Sequence, residues 1–306
     1  MNVPGLTNLP IRVRICGGSH AGMERPENQD NFLIADLADV RTGKDEPHGG
    51  ALRREDRQAK DIALDPAGLL LMVADGMGGA AAGRIASRMA TAHVLESVGT
   101  CWLGERGPSP GKFVACLRAA LVASNALIHE QSTMDLGYRG MGTTATLAGV
   151  LEEYMYLGQV GDSRAYVVRN GECSQLTRDQ SFANVALDEG WMSEADLERS
   201  DHRNKILQAL GPTPSVEPAF SFLHLRRGDV VVLCSDGLFR VVGDDEIARA
   251  AAADPLESCG ALIDLANQRG GPDNITVVVA RFDGDGLAAP GPDDVVGHQP
   301  LPTSLA

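Results

Sequence analysis

The run from Gly68 to Gly79, GLLLMVADGMGG, limits what this chain can fold into more than any other stretch. Leu69 to Ala74 are apolar without alternation, the pattern of a strand covered on both faces rather than one half in water. Asp75 ends the run. Gly76, Gly78 and Gly79 then let the backbone turn sharply and come close to whatever Asp75 holds, before a helical pattern begins. An Asp-Gly turn after a strand also forms for steric reasons alone, so its meaning depends on what accompanies it.

Three other segments repeat the arrangement. Asp236 closes Asp229 to Gly237, DVVVLCSDG, where Val230 to Leu233 feed an Asp-Gly pair. Asp273 and Asn274 precede the apolar run Ile275 to Ala280, and Asn28, Gln29 and Asp30 precede Phe32 to Ala35. Acidic residues at strand ends, far apart in sequence, are what a sheet scaffold uses to gather oxygen ligands round a hard cation.

Between these segments the pattern changes period. Ile11 to Cys16 and Phe32 to Leu37 read as strands. Residues 40 to 61 carry charge, Pro47 and Gly49-Gly50 but no periodic apolar face, and are expected to form an exposed loop. Ile85, Met89, Ala92 and Leu95 recur at helical spacing, as do Phe113, Leu117, Leu121 and Ile128. The spacing predicts helices over 80–98 and 112–131, broken by Gly104 to Gly111. Thr143 to Val150, Tyr154 to Val160, Arg164 to Arg169 and Cys173 to Leu176 predict an antiparallel meander, with Asn170-Gly171 as a hairpin turn. Gly161-Asp162-Ser163 is another of its turns and presents Asp162 at a sheet end. Residues 178 to 218 lose the β-branched character, with a helix expected over Asn184 to Gly190 and another, opened by a Ser193/Asp196 capping pair, to Arg199. Strand Val230 to Ser235, helices near Asp244 to Ala253 and Leu256 to Arg269, and strand Ile275 to Phe282 complete the order. Residues 1–10 read as an irregular lead-in, and the Gly-, Pro- and Asp-rich tail 284–306 as disordered. Strands, two helices, a meander, then strand and helices again suggest a sheet sandwich with helices outside it.

Composition narrows the function classes. A formal net charge of −14 over 306 residues leaves no basic stripe for neutralising phosphates, which argues against nucleic acid. No apolar run nears the roughly 20 residues that span a bilayer, and the start MNVPGLTNLP lacks a signal peptide's basic and apolar regions. The expectation is a cytoplasmic monomer without membrane insertion. The six cysteines have no metal-type pairing and are read as reduced, with Cys16, Cys116 and Cys234 inside apolar patterns.

Six short motifs occur in one order along most of the chain: Arg25-Pro-Glu-Asn-Gln-Asp30, Asp75-Gly-Met-Gly-Gly79, Met141-Gly-Thr-Thr144, Gly161-Asp-Ser-Arg164, Ser235-Asp-Gly-Leu238 and Asp273-Asn-Ile-Thr276. In this the sequence resembles the PP2C (PPM) family of metal-dependent Ser/Thr protein phosphatases, in its bacterial form. The resemblance implies an α+β fold, a four-layer αββα sandwich over residues 11–283 with a flap subdomain at about 178–218. It implies hydrolysis of phosphoserine and phosphothreonine monoesters by water activated at a pair of Mn2+ or Mg2+ ions, in opposition to a Ser/Thr kinase facing the cytoplasm. By the same resemblance Asp75 bridges the two ions, the Gly76 carbonyl binds one, and Asp236 and Asp273 hold the other. Asp30 binds directly or orients metal-bound water, and Asp162 shares a third ion with Asp236. Arg25 holds the substrate phosphate, where a planar fork of donors suits two oxygens. Asn274 and Thr144 are expected to stand behind these groups as supports.

The sequence also departs from the family pattern. Gln29 stands where many relatives carry Glu, Met77 where eukaryotic relatives have a His proposed as general acid, and Gln180 where a His is familiar. Two other readings compete. Cys234 and Arg240 have the Cys-x5-Arg spacing of cysteine-dependent phosphatases, but Asp236 would put a carboxylate inside a loop that must cradle a dianion, and no His precedes Cys234 to favour the thiolate. A phosphoprotein-binding relative without turnover would be expected to have lost Asp75, Asp236 or Asp273, and all three are present.

Overall fold

The computed structural model describes residues 10–42, 48–49, 58–103, 109–193, 196–197, 199–200, 205–302 and 305. In chain order the elements are β1 (Arg12–His20), β2 (Asn31–Asp36), α1 (Leu37–Thr42), β3 (His48–Gly49), β4 (Lys60–Ala63), β5 (Leu69–Ala74), β6 (Gly76–Met77), α2 (Ala80–Leu103) and α3 (Pro110–Met134). A 3-10 turn at Leu136–Tyr138 leads to β7 (Gly142–Thr143), β8 (Ala145–Leu151), β9 (Tyr154–Val160), β10 (Arg164–Arg169), β11 (Glu172–Gln175) and α4 (Phe182–Asp188). The chain then runs through β12 (Ala219–His224), β13 (Val230–Cys234), α5 (Asp236–Phe239), α6 (Asp244–Ala251), α7 (Pro255–Gln268) and β14 (Ile275–Asp283).

Two six-stranded sheets carry the fold, in the orders β11-β10-β13-β14-β1-β4 and β12-β9-β8-β5-β2-β3, and β6 and β7 form a small ribbon of their own. Every named strand pairing is antiparallel. The unbroken apolar runs now have a reason. In β5, Leu69, Leu71 and Val73 enter the core between the sheets, while Leu70, Met72 and Ala74 enter the core under α2 and α3. In β14, Val278, Ala280 and Phe282 face the sheet partner, while Ile275, Val277 and Val279 face α6 and α7. Successive side chains of a strand point to opposite faces, so a strand with a core on both sides must be apolar throughout. The result is the expected αββα order, three cores stacked between four layers.

α2 and α3 exceed the periodic stretches that announce them. α3 runs from Pro110, with Ser109 Oγ accepting from the Lys112 amide as its N-cap, to Met134. Among the described residues it is the one helix long and apolar enough to cross a bilayer, with a mean hydropathy of 1.4, but half of that stretch is buried. Phe113, Leu117, Leu121 and Ile128 fill the core against the second sheet, and Gly149 of β8 lies so close to Leu117 that a Cβ there would stand 2.7 Å from its methyl.

Two expectations are corrected. Cys101 and Cys116 are not reduced thiols but a disulfide joining α2 to α3; helical periodicity brings the two helices side by side, while nothing in the spacing of these cysteines announces the pair. The tail is not disordered over its described residues. Leu287 is buried, the Phe222 amide donates to Gln299 O, and Arg226 makes a bidentate pair with Asp294. A low-complexity composition was outweighed by a few well-placed contacts. The lead-in 1–9, most of the 40–61 loop, the 104–108 break and part of the helix to Arg199 lie outside the described residues, although the Ser193/Asp196 capping pair is formed in both directions.

Candidate metal centre

The six motif segments meet at one end of the sandwich. Asp75 follows β5 and is clamped by Thr143 and Thr144: its amide donates to Thr144 Oγ1 at 2.9 Å, and its carbonyl accepts from the Thr144 amide and from Thr143 Oγ1. Gly76 then passes so close to Gly83 of α2 that a Cβ would stand 2.2 Å from the Gly83 carbonyl oxygen. Only a residue without a side chain lets the helix start beside the acidic turn.

Asp30 is buried ahead of β2, and its Oδ2 accepts from Ser235 Oγ at 2.7 Å. Ser235 in turn accepts from the Thr276 amide at 2.9 Å, so three segments are tied through one hydroxyl. Asn274 does the same for the loop that carries Arg25: its Oδ1 accepts from the Gln29 amide, and its Nδ2 donates to Ala21 O and Glu27 O. Gly237 lets Asn274 approach, since a Cβ there would lie 2.0 Å from the Asn274 carbonyl oxygen. Asp162 sits in the turn opened by Gly161 at φ +100, a backbone conformation that favours glycine. Gln180 grips that turn from both sides, its side chain accepting from the Gly161 amide and its own amide donating to Gly161 O.

The electrostatics of the cluster are those of a site built for a cation. Burial raises the Asp30 and Asp162 carboxyls to about 7. Asp75 keeps some contact with solvent, yet desolvation first and then Asp30, Asp236, Asp162 and Asp273 push it well above the usual carboxylate range. Asp236 is raised as well, by burial above all, with Arg240 opposing. Oδ1 of Asp30, of Asp162 and of Asp236 has no donor among the described residues. Buried carboxylate oxygens without partners, crowded by like charge, are costly unless positive charge is supplied. Two arginines supply part of it: Arg25 Nη2 lies 2.7 Å from Asp273 Oδ2, and Arg240 Nη2 lies 2.6 Å from Asp236 Oδ2. Among the described residues no three acidic, His or Cys side chains stand close enough to form a finished metal cage. The donor set, all oxygen, fits Mg2+ or Mn2+ and not a softer ion.

The cysteine reading fails on geometry. Cys234 is fully buried and burial pushes its thiol up, away from the thiolate, while Arg240 turns to Asp236 and Asp162.

A family model of protein phosphatase 2C matches residues 48–262, a span that contains Asp75, Asp162 and Asp236. The chain belongs to the protein phosphatase 2C family. Among its relatives, the serine/threonine protein phosphatase PstP of Mycobacterium tuberculosis is 40% identical over 212 residues, which is 69% of this chain and 40% of PstP. The chain thus spans well under half of PstP. Protein phosphatase PhpP of Streptococcus pneumoniae is 34% identical over 215 residues, covering 70% of this chain and 85% of PhpP. The crystal structure of M. tuberculosis PstP/Ppp superposes with a TM-score of 0.70 at 34% identity, covering 89% of this chain and 99% of that one. The PstP catalytic domain in complex with two manganese ions superposes at 0.68 and 33% identity, covering 89% and 99%.

In this member of the family Asp30, Asp75, Asp162, Asp236 and Asp273 lie within electrostatic reach of one another, with Arg25 at the rim and its side chain half exposed. The residues that fasten the site were less visible. Asp179 holds Arg164 through both carboxylate oxygens, and Arg164 stacks on Phe239 at 3.8 Å, which ties the start of the 178–218 segment to α5. Gln180 and Ser235 belong to the same fastening. Their short-range motifs mark them only as neighbours of aspartates, because their partners are distant in sequence.

Proposed function

We propose that this chain is a metal-dependent protein serine/threonine phosphatase, hydrolysing phosphoserine and phosphothreonine monoesters. The observation that carries this reading is the convergence of Asp30, Asp75, Asp162, Asp236 and Asp273, with three buried oxygens left without donors. When bound, two Mn2+ or Mg2+ ions lower the pKa of water to make a nucleophile and neutralise phosphoryl oxygens.

The chain's own residues prepare that chemistry. Asp75, the Gly76 carbonyl, Asp236 and Asp273 are the groups that would hold the ions. Thr143 and Thr144 fix the Asp75 backbone, and with it the point from which the carboxylate leaves the chain. Asp30, with one oxygen committed to Ser235, has the other available to orient water. Arg25, on a rim loop fastened by Asn274, can turn from Asp273 to a phosphate, which its fork of donors matches. Asp162 stands at the edge of the centre, beside Asp236. Met77 offers no proton, so the alkoxide leaving group is not protonated from that position.

The catalytic domain is assigned to 11–283, with 178–218 as a flap fastened through Asp179 and Gln180. Protein phosphoserine and phosphothreonine are made by ATP-using kinases, so the substrates are phosphoproteins in the cytoplasm, and the partner is the Ser/Thr kinase that modifies them. The chain acts as a monomer.

The test is hydrolysis of phosphothreonine and phosphotyrosine peptides with Mn2+, then with EDTA or iodoacetamide added. Phosphothreonine turnover that EDTA abolishes and iodoacetamide spares is expected. Turnover of phosphotyrosine alone, or inhibition by iodoacetamide and not by EDTA, overturns the reading.

A further inference from the structure

Arg240 is not among the six motifs, and its position at the centre is unlike that of Arg25. It follows directly on α5, and its amide donates to the Asp236 carbonyl at 3.1 Å. Spaced four residues from Asp236, its side chain leaves the helical turn on the same face as that carboxylate. Nη2 stands 2.6 Å from Asp236 Oδ2 and 3.9 Å from Asp162 Oδ2, so one guanidinium serves two carboxylates from different strand ends. Both carboxylates are nearly buried, and the Oδ1 atom of each has no donor among the described residues. Arg25, by contrast, sits on an exposed loop with 55% of its side chain open against 34% for Arg240, and among the described residues its ion pair is with Asp273.

We propose that the Arg240 guanidinium is a built-in cation between Asp162 and Asp236, and that it restricts this chain to two divalent ions by occupying the place where a third would bind. The proposal rests on the binuclear reading above and goes beyond it. Asp236 divides its oxygens: Oδ2 is committed to Arg240, while Oδ1, without a donor among the described residues, is the one that would be left for a metal ion. A third divalent ion between Asp162 and Asp236 would have to displace a charge-assisted hydrogen bond at the buried carboxylate, or sit within a few ångströms of a fixed positive charge, where repulsion is poorly screened. A guanidinium stays charged at any pH the protein meets, so the restriction does not lift with pH. Asp162 then serves to hold Arg240 in place, which makes it a positioning residue.

The test is a count of bound Mn2+ by equilibrium dialysis, with the free ion read by electron paramagnetic resonance, on the full chain. The variants are Arg240→Met, which keeps the length of the side chain without its charge, Arg240→Lys, and Arg240→Met combined with Asp162→Asn. Thermal unfolding of each confirms that it folds. Wild type and Arg240→Lys are expected to bind about two ions per chain. Arg240→Met is expected to gain about one more, and the double variant to lose that gain. A wild-type chain that binds about three ions overturns the proposal, and so does an Arg240→Met protein with no gain. A wild-type chain that binds fewer than two contradicts the binuclear reading itself, a result separate from any effect at Arg240.

Discussion

Ser235 Oγ lies 2.7 Å from Asp30 Oδ2, two residues 205 positions apart, and donates its proton to that carboxylate while accepting from the Thr276 amide. One hydroxyl thereby sets the orientation of a buried acid and locks β13 to β14 at the end where the centre lies. Ser235→Ala would leave the Thr276 amide and Asp30 Oδ2 without this partner in a buried site. The expected cost is about 1–3 kcal/mol of stability, read as a shift in the urea midpoint of the metal-free protein, with weaker Mn2+ binding. An unchanged midpoint would mean the hydroxyl is dispensable.

Arg25 is assigned to the substrate phosphate, not to the fold. Arg25→Ala should lower kcat/KM for a phosphothreonine peptide by about 10- to 100-fold, the worth of a charge-assisted hydrogen bond, and leave the melting temperature nearly unchanged because the pair it makes with Asp273 is exposed. Arg25→Lys should recover only part of the loss, since an ammonium cannot present two parallel donors. Full activity in Arg25→Ala would remove this residue from the site.

The buried acids make the metal-free protein sensitive to pH in a defined direction. Asp162 ionises near 3.8 in the unfolded chain and at about 7 when folded, because burial disfavours its charge. Between those values the folded state holds the extra proton, so the contribution is complete below about pH 4 and is lost as pH rises through about 7. In EDTA, the melting temperature of wild type minus that of Asp162→Asn should therefore fall from about pH 4 to about pH 8. A difference that rises with pH would reverse the sign argued here. Burial raises Asp30 to about 7 as well, and metal ligands must be ionised, so the gain in melting temperature on adding Mn2+ to wild type should grow over the same interval.

Cys101 and Cys116 close a loop of 15 residues between α2 and α3. Such a link is worth about 3 kcal/mol by loop entropy. Reduction with dithiothreitol should lower the melting temperature, and Cys101→Ser should be insensitive to the reductant. Alkylation in denaturant should label Cys101 and Cys116 only after reduction; labelling of both beforehand would show free thiols.

Arg169 and Asp229 form a bidentate pair with almost no exposure of either side chain, and the Arg226 amide also donates to Asp229. Asp229→Ala leaves a buried guanidinium with Asp294, 3.8 Å from its Nη1, in place of a bidentate partner, and is expected to cost about 3 kcal/mol without changing Mn2+ stoichiometry in the folded fraction.

What could be read from the sequence followed a physical rule. β5 and β14 were visible because a strand with a core on each face must be apolar throughout, and Asp75, Asp236 and Asp273 because each ends or begins such a run. The antiparallel meander was visible through its turn residues. The disulfide was not, since it depends on how α2 and α3 lie together, and neither was the packed tail, which is held by Leu287 and by Asp294 against Arg226. The sequence marks Arg240 only by its spacing from Cys234. Its place between Asp162 and Asp236 depends on the meeting of two strand ends 74 residues apart, which local pattern cannot convey.

The most direct test is an anomalous diffraction experiment on crystals of this chain grown with Mn2+. Two peaks are expected, with Asp75 between them and Asp236 and Asp273 beside one, within direct coordination distance of the carboxylate oxygens. Peaks elsewhere on the molecule, or none near Asp75, would contradict the assignment of this cluster as the metal centre.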